Sequence, residues 1–397
     1  MIFLGVTGSF FSAVYYDKYQ TRRNREKWCK LVSHISEEHL DTKTLPRRVT
    51  IYLSAPPGDG LRAAREHFHE YVKPVLVAAA LDWDVIEGRK EGDVRHKTAE
   101  KMRKRRRFGG EGEPLPEQDY SVELIREKAG TKEYESVAGD LVIGRHTWKE
   151  YVRGLHEGWL GPADAPKEVV DVLGESVDTQ AQAQHTPGQA GVGDAAVTAA
   201  TNLATTDSSQ DQSQTEIQDD ASPAATETPP EPSSEEKKEE PPKPRQPPAY
   251  IKPSGYASAT LSALAPETIG PSTPISFPHI LGFRNTPIRI YRFLTRRYLA
   301  DNIGRQVACA VMGSHRAYDG AAEVQSALEA EEGNWWKKTV YRTREAHEES
   351  VIIEDMVCDE RIVGRMRRFE LDGLEEERAK RIGEGKEGAI TRFAEEE

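Results

Sequence analysis

The sequence predicts an α/β fold. A single N-terminal transmembrane helix leads into a βαβ-type layered domain, a disordered linker and a mostly helical C-terminal region that packs back on the domain. Three observations carry this. Between Arg47 and Pro162, β-branched runs alternate with helical apolar stripes, three strand–helix steps in succession. Met1–Tyr16 carries no charge, and six Lys/Arg follow between Lys18 and Lys30. Residues 174–250 have no aromatic before Tyr250 and hold fourteen Asp/Glu against four Lys/Arg, too little apolar area to offset the entropy of ordering. The expected boundaries are an anchor at 1–16, a basic juxtamembrane segment at 17–46, the α/β domain at 47–173, the linker at 174–250 and the helical region at 251–397.

Each element follows from its residues. Sixteen anchor residues reach roughly 24 Å, short of the ~30 Å hydrocarbon core; snorkelling, bilayer thinning or residues upstream of Met1 would complete the span. Gly5, Ser9 and Ala13 form a small-residue stripe, suited to close helix contact in lipid or simply common in such helices. Arg47–Ala55 reads as a strand. From Asp59 a helix buries Leu61, Ala64, Phe68, Tyr71, Val72, Val75 and Ala79, with a kink or a helix junction at Pro74. Leu81–Gly88 reads as the second strand and Glu91–Gly110 as the second helix. Ser121–Lys128 reads as a helix. Gly139–Pro162 gives a short strand, then a helix through Trp148, Tyr151, Val152, Leu155 and Trp159. Three strands are few for a parallel sheet, and Glu349–Val357 is the expected fourth.

Ten prolines between Pro223 and Pro253 stiffen the second half of the linker. Beyond it, Pro287 starts one long helix with Ile288, Tyr291, Leu294, Tyr298, Ile303, Val307 and Val311 as its apolar spine. Ala327–Glu349 continues as a charged helix, and the chain from Leu371 is helical or frayed.

Net charge is −12, of which the linker carries −10, so the remaining chain is near neutral at −2 and no basic partner is implied for it. Cys29, Cys309 and Cys358 are far apart, which supports neither a disulfide framework nor a zinc site. His67 and His69 diverge on a helix and cannot chelate one ion together, so they read as solvated residues. No metal site or cofactor is expected, and no nucleophile–base pair stands at motif spacing, so no enzyme is expected.

Gly58-x-Gly60-x-x-Ala63 fits the dinucleotide fingerprint, with Glu87 ending the second strand as the acidic partner. The competing reading is a Pro56-Pro57-Gly58 turn with Asp59 as helix cap. Basic residues supply the candidate surfaces: Arg22 and Arg23 in the collar, Arg105, Arg106 and Arg107 in "KMRKRRR", and Arg292, Arg296 and Arg297 downstream. They suit anionic lipid or an acidic protein rather than nucleic acid, or they simply face water.

The stretches "VTIYLSAPPGDGLRAAREHFHEYVKPVLVAAALDWDVIEGRKEGDVRHKTAEKMRKRRR", "GDLVIGRHTWKEYVRGLHEGWLGP" and "HILGFRNTPIRIYRFLTRRYLADNIGR" resemble the fungal fifty-four-kilodalton subunit family of the mitochondrial inner-membrane carrier translocase, as does "REKWCKLVSH". The resemblance implies a non-enzymatic, single-pass inner-membrane subunit with its large domain in the intermembrane space. It would support insertion of polytopic carriers beside the channel-forming and other subunits and the small chaperones of that space. It also implies a link to assembly of the inner-membrane AAA protease. Family members carry residues before the anchor, whereas this chain begins at its first apolar residue, so a truncated start is expected. The basic collar alone favours the matrix side, opposite to the resemblance. Two other readings stand beside it: a membrane-tethered nucleotide-binding protein using Gly58–Ala63, and an adaptor whose proline-rich linker is the binding element.

Overall fold

A computed structural model describes residues 2–37, 43–56, 58–113, 125, 128–131, 138–166, 246–331 and 354–386. All belong to one compact unit, residues 1–175 and 246–397. Helix α1 (Ile2–Val32) comes first, then β1 (Arg48–Ser54), α2 (Arg62–His67), a π turn over Phe68–Val72, α3 (Lys73–Ala78), β2 (Asp82–Gly88) and α4 (Asp93–Phe108). β3 (Asp140–Ile143) and α5 (Arg145–Leu160) precede the linker; β4 (Ser272–Ile275), α6 (Thr286–Leu294) and α7 (Arg296–Met312) follow it. Next come β5 (His315–Ala317), α8 (Gly320–Ser326), α9 (Glu360–Val363), β6 (Arg367–Phe369) and α10 (Gly373–Gly383).

The main sheet is parallel throughout, in the order β2-β1-β3-β4, and β5 and β6 form a separate antiparallel pair. Strand alternation divides the core. Val49, Ile51, Leu53, Leu141 and Ile143 face one cluster with α1, α3 and α7, while Tyr52 and Val142 face the other with α4 and α5. Every member of the expected Leu61–Ala79 stripe is buried, as are Trp148, Tyr151, Val152, Leu155 and Trp159. At Pro74 the structure has the helix junction, one of the two alternatives expected there. The π turn ends at Val72 and Pro74 sits in the first turn of α3, where its missing N–H costs nothing.

Four expectations are corrected. The anchor and the collar are one continuous helix of 31 residues, and its second half belongs to the core. Asp17 pairs with Arg297 at 3.0 Å, the Trp28 indole N–H donates to Asp301 at 2.8 Å, and Trp28, Leu31 and Val32 are buried. Gly304 allows that contact, because a Cβ there would lie 2.3 Å from Trp28 Cδ1. Among the described residues, no helix is long and apolar enough to cross a membrane; charge begins at Asp17 and cuts the apolar run short.

The fourth strand is Ser272–Ile275, its four residues all buried. It contains Pro274, which an edge strand tolerates and an interior one does not. Of Glu349–Val357, residues 349–353 lie outside the described residues, and the remainder is not a strand.

The long helix breaks at Thr295 into α6 and α7. Ile303, Val307 and Val311 are fully buried, whereas Tyr291 is 66% and Tyr298 64% exposed and Ile288 is also exposed. Only the later half of the expected spine is therefore core.

Finally, residues 246–250 are packed rather than linker-like. Gln246 is buried against Gly92, the Tyr250 N–H donates to Glu157, and the Arg103 guanidinium lies 3.5 Å over the Tyr250 ring. Residues 174–245 lie outside the described residues, as do most of Ser121–Lys128 and everything after Glu331 in Ala327–Glu349. The C-terminal expectation is met over α10, with 387–397 outside the described residues.

Candidate functional site

The β1→β2 connection runs to one side of the sheet and β1→β3→β4 to the other, so the crevice between the C-terminal ends of β1 and β3 is a topological switch point. In α/β sheets that position takes ligands. Here it is filled. The space bounded by Ser54, Gly144, Thr147, Phe277, His279 and Glu331 is about 20 Å³, room for a single water. The Ser54 and Thr147 hydroxyls bond each other across it at 2.6 Å. Burial pushes the Glu331 carboxyl up to about 7.

The fingerprint residues serve the fold. Gly58 has φ +85° and the Asp59 N–H donates to Pro56 C=O at 3.1 Å, a glycine-dependent tight turn. Gly60 has open space around it, and Ala63 belongs to a neighbouring groove. Glu87 accepts both Arg65 donors, at 2.7 and 2.5 Å, and that bond holds its carboxyl below the usual range. Asp59 does not cap α2, whose start is Leu61 without a side-chain cap; its carboxylate lies 3.1 Å from the His279 ring instead. The turn reading holds and the cap reading is replaced; the crevice at the strand ends has room only for a water, and Glu87 is taken by Arg65.

His67 is buried, contrary to its solvated expectation. Its Nε2 lies 2.9 Å from the Ser276 carbonyl, and burial lowers its pKa to about 4, so the ring is neutral. His69 is exposed. Among the described residues no group of His, Cys, Asp or Glu could hold a metal. The three thiols are free, and burial pushes Cys309 and Cys358 up to about 12.

The basic stretches separate sharply. In α4, Arg95 and Arg103 are buried and both bind Glu157 of α5. Gly154 and Gly158 bring the helices that close: a Cβ on Gly154 would lie 2.6 Å from Thr98 Cβ, and one on Gly158 2.5 Å from Met102 Cβ. Arg106, offered by sequence as a surface residue, is buried. It binds Glu111 and donates to the Gly158 and Gly161 carbonyls at 2.6 and 2.7 Å. Arg107 reaches Ala163 and Asp164, which leaves Arg105 exposed. Glu150, also in α5, accepts the Gly92, Val94 and Arg95 N–H groups and thereby caps α4 from outside. Sequence reading missed Glu150 and Glu157 because their partners lie more than fifty residues away.

Arg292 and Arg296 instead meet at a groove of about 660 Å³ between α6, α1 and the α2–α3 segment. Phe10, Tyr71, Ile290 and Phe293 line it, with Arg289, Arg292 and Arg296 on one wall and Asp59, Glu66 and Glu70 on the other. Arg289 was readable from its spacing, three and seven residues before the other two. Arg297 sits beside the groove and holds Asp17. Arg22 pairs with Glu26 at 2.9 Å on exposed α1, and Arg23 is exposed there.

The family model for the inner membrane protein import complex subunit Tim54 matches residues 1–369. The chain belongs to the Tim54 family. The Aspergillus fumigatus mitochondrial import inner membrane translocase subunit tim54 is 44% identical over 98% of this chain and 90% of its own length. The subunits of the same name from Aspergillus oryzae and Neurospora crassa are 43% and 42% identical, over 98% and 96% of this chain and 87% and 79% of theirs. Tim54 proteins are subunits of the mitochondrial inner-membrane import complex, a non-enzymatic role, and the resemblance carried by the sequence blocks is met.

Proposed function

We propose that this Tim54 protein is a membrane-tethered scaffold of the translocase. The observation that carries the reading is the division of α1: most residues from Phe3 to Tyr16 are exposed, Phe3, Leu4, Val6, Phe10 and Phe11 among them, whereas the same continuous helix is fastened to α7 from Asp17 onward. The bare half enters the inner membrane as a single-pass anchor. Local thinning and snorkelling of Lys18 and Arg22 offset its short length, and Tyr15, Tyr16 and Tyr19, all exposed, lie at the level where aromatic residues favour the interface. The folded unit, held in the intermembrane space, docks the channel-forming subunit and others and supports insertion of polytopic carriers delivered by the small chaperones. The same surfaces would serve assembly of the AAA protease. Arg22, Arg23, Arg105, Arg292 and Arg296 are the exposed or groove-lining cations available for anionic lipid or acidic partners.

Protease treatment of mitoplasts tests the placement: a C-terminal epitope is expected to be digested once the outer membrane is ruptured, and its continued protection would contradict it. Crosslinking from exposed Arg105 is expected to recover translocase subunits; recovery of none would count against the scaffold.

A further inference from the structure

We propose that the groove between α6, α1 and the α2–α3 segment binds the headgroup of one anionic phospholipid, whose acyl chains run along Phe10, Ile290 and Phe293. The inference rests on the membrane placement proposed above and names a ligand for it. The groove's volume lies in the ordinary range of ligand pockets, roughly 300–1,000 Å³. Its lining combines two chemistries that only an amphiphile satisfies together: aromatic and aliphatic side chains, and three guanidiniums on one wall. Guanidiniums recognise phosphate by paired charge-assisted hydrogen bonds.

The carboxylates of the facing wall offset those cations only in part. Glu66 is taken by Arg62 at 2.7 Å and Glu70 reaches Arg296 only at 4.0 Å, while Asp59 lies 3.1 Å from a His279 ring whose pKa burial lowers. Arg289 has no ion pair among the described residues. Arg292 interacts electrostatically with Glu331, yet its Nη1 is buried without a hydrogen-bond partner among the described residues. A buried donor of this kind carries an unrecovered desolvation cost, and a phosphate oxygen in the groove would recover it.

Position argues for a lipid over a soluble anion or a peptide. Phe10 belongs to the bare half of α1, and Asp17, two turns on, is already bound to Arg297. The groove thus sits where the helix passes from exposed apolar surface to protein core, the level of a headgroup. Outside it, α6 has no buried residue, and Phe283, Ile288 and Tyr291 are exposed beside its arginines, the composition of a segment lying at a membrane surface.

The test is native mass spectrometry of the full chain in neutral detergent with dioleoyl phosphatidylglycerol or dioleoyl phosphatidylcholine. One phosphatidylglycerol is expected to be retained and phosphatidylcholine lost. Arg289→Ala, a side chain without a folding partner, should weaken retention about tenfold, and Arg289→Ala/Arg292→Ala further. Arg105→Ala should change nothing. Equal retention of both lipids, or undiminished retention by Arg289→Ala, would overturn the proposal. Displacement of the lipid by excess inorganic phosphate would reassign the site to a free anion. A photoreactive residue at Phe293 that crosslinks to a protein chain rather than to lipid in mitochondria would reassign it to a peptide. Extraction of the chain from membranes by alkaline carbonate, with phosphatidylglycerol still retained, would defeat the anchor and leave the groove standing.

Discussion

Two arginine-rich helical stretches look alike in sequence and do opposite things. In α4, Arg95, Arg103 and Arg106 are buried and consumed by Glu157, Glu111 and backbone carbonyls. Across α6 and α7, Arg289, Arg292 and Arg296 line an open groove floored with aromatic and aliphatic residues. Counting cations does not separate the two. What separates them is whether a carboxylate on a neighbouring element is placed to meet them, and whether small residues let that element come close. Gly154 and Gly158 bring α5 and Glu157 onto α4, whereas no comparable element covers α6 among the described residues.

Removing the shared carboxylate breaks the buried set most severely. Glu157→Ala leaves two guanidiniums buried without their counter-charge, and urea unfolding should register a loss of about 3–5 kcal/mol. The groove depends on α1 being fastened to α7, so Gly304→Ala, which drives a methyl into Trp28, should cost up to about 3 kcal/mol in the same assay.

His67 sharpens the comparison through pH, because its neutral ring supports the groove wall. Its folded pKa near 4 lies below the usual 6.5, so the unfolded chain takes up the proton first. The stabilisation is therefore complete above about pH 6.5 and fades as pH falls toward 4, by about 2 kcal/mol at pH 5. Denaturation curves at pH 7 and pH 5 should differ by that much less in His67→Phe than in the native sequence. The smallest effect belongs to the open set: Arg289→Ala should change stability by less than about 0.5 kcal/mol, as a surface substitution with no partner. A loss resembling that of Glu157→Ala would show that the two sets are not opposites.

Much of the fold was legible because periodicity and burial coincide. The Leu61–Ala79 stripe and the Trp148–Trp159 face are buried as read, and β1, β2 and β3 lie at their expected positions within a residue or two. β4 was not legible, since four residues containing a proline carry no strand signal. Nor was the break at Thr295: Ile288, Tyr291 and Tyr298 keep helical spacing with buried residues yet point away from the core. The candidate site was half legible. Arg292 and Arg296 were readable as cations on a helix, but their meeting with Phe10 and Tyr71 is a tertiary event across more than two hundred residues. For the same reason Arg106 was misread: Glu111 is a local partner, but the Gly158 and Gly161 carbonyls that bury it lie more than fifty residues away and meet it only on folding.

The central claim is that α1 is one rigid helix with its first half in lipid and its second half in protein. A fluorophore scan of the reconstituted full chain tests it most directly, with single-cysteine labels at Phe3, Phe10, Lys18 and Lys27 and a quencher confined to the acyl region. Quenching is expected at Phe3 and Phe10 and absent at Lys18 and Lys27. Absence of quenching at Phe3 and Phe10 would contradict the account.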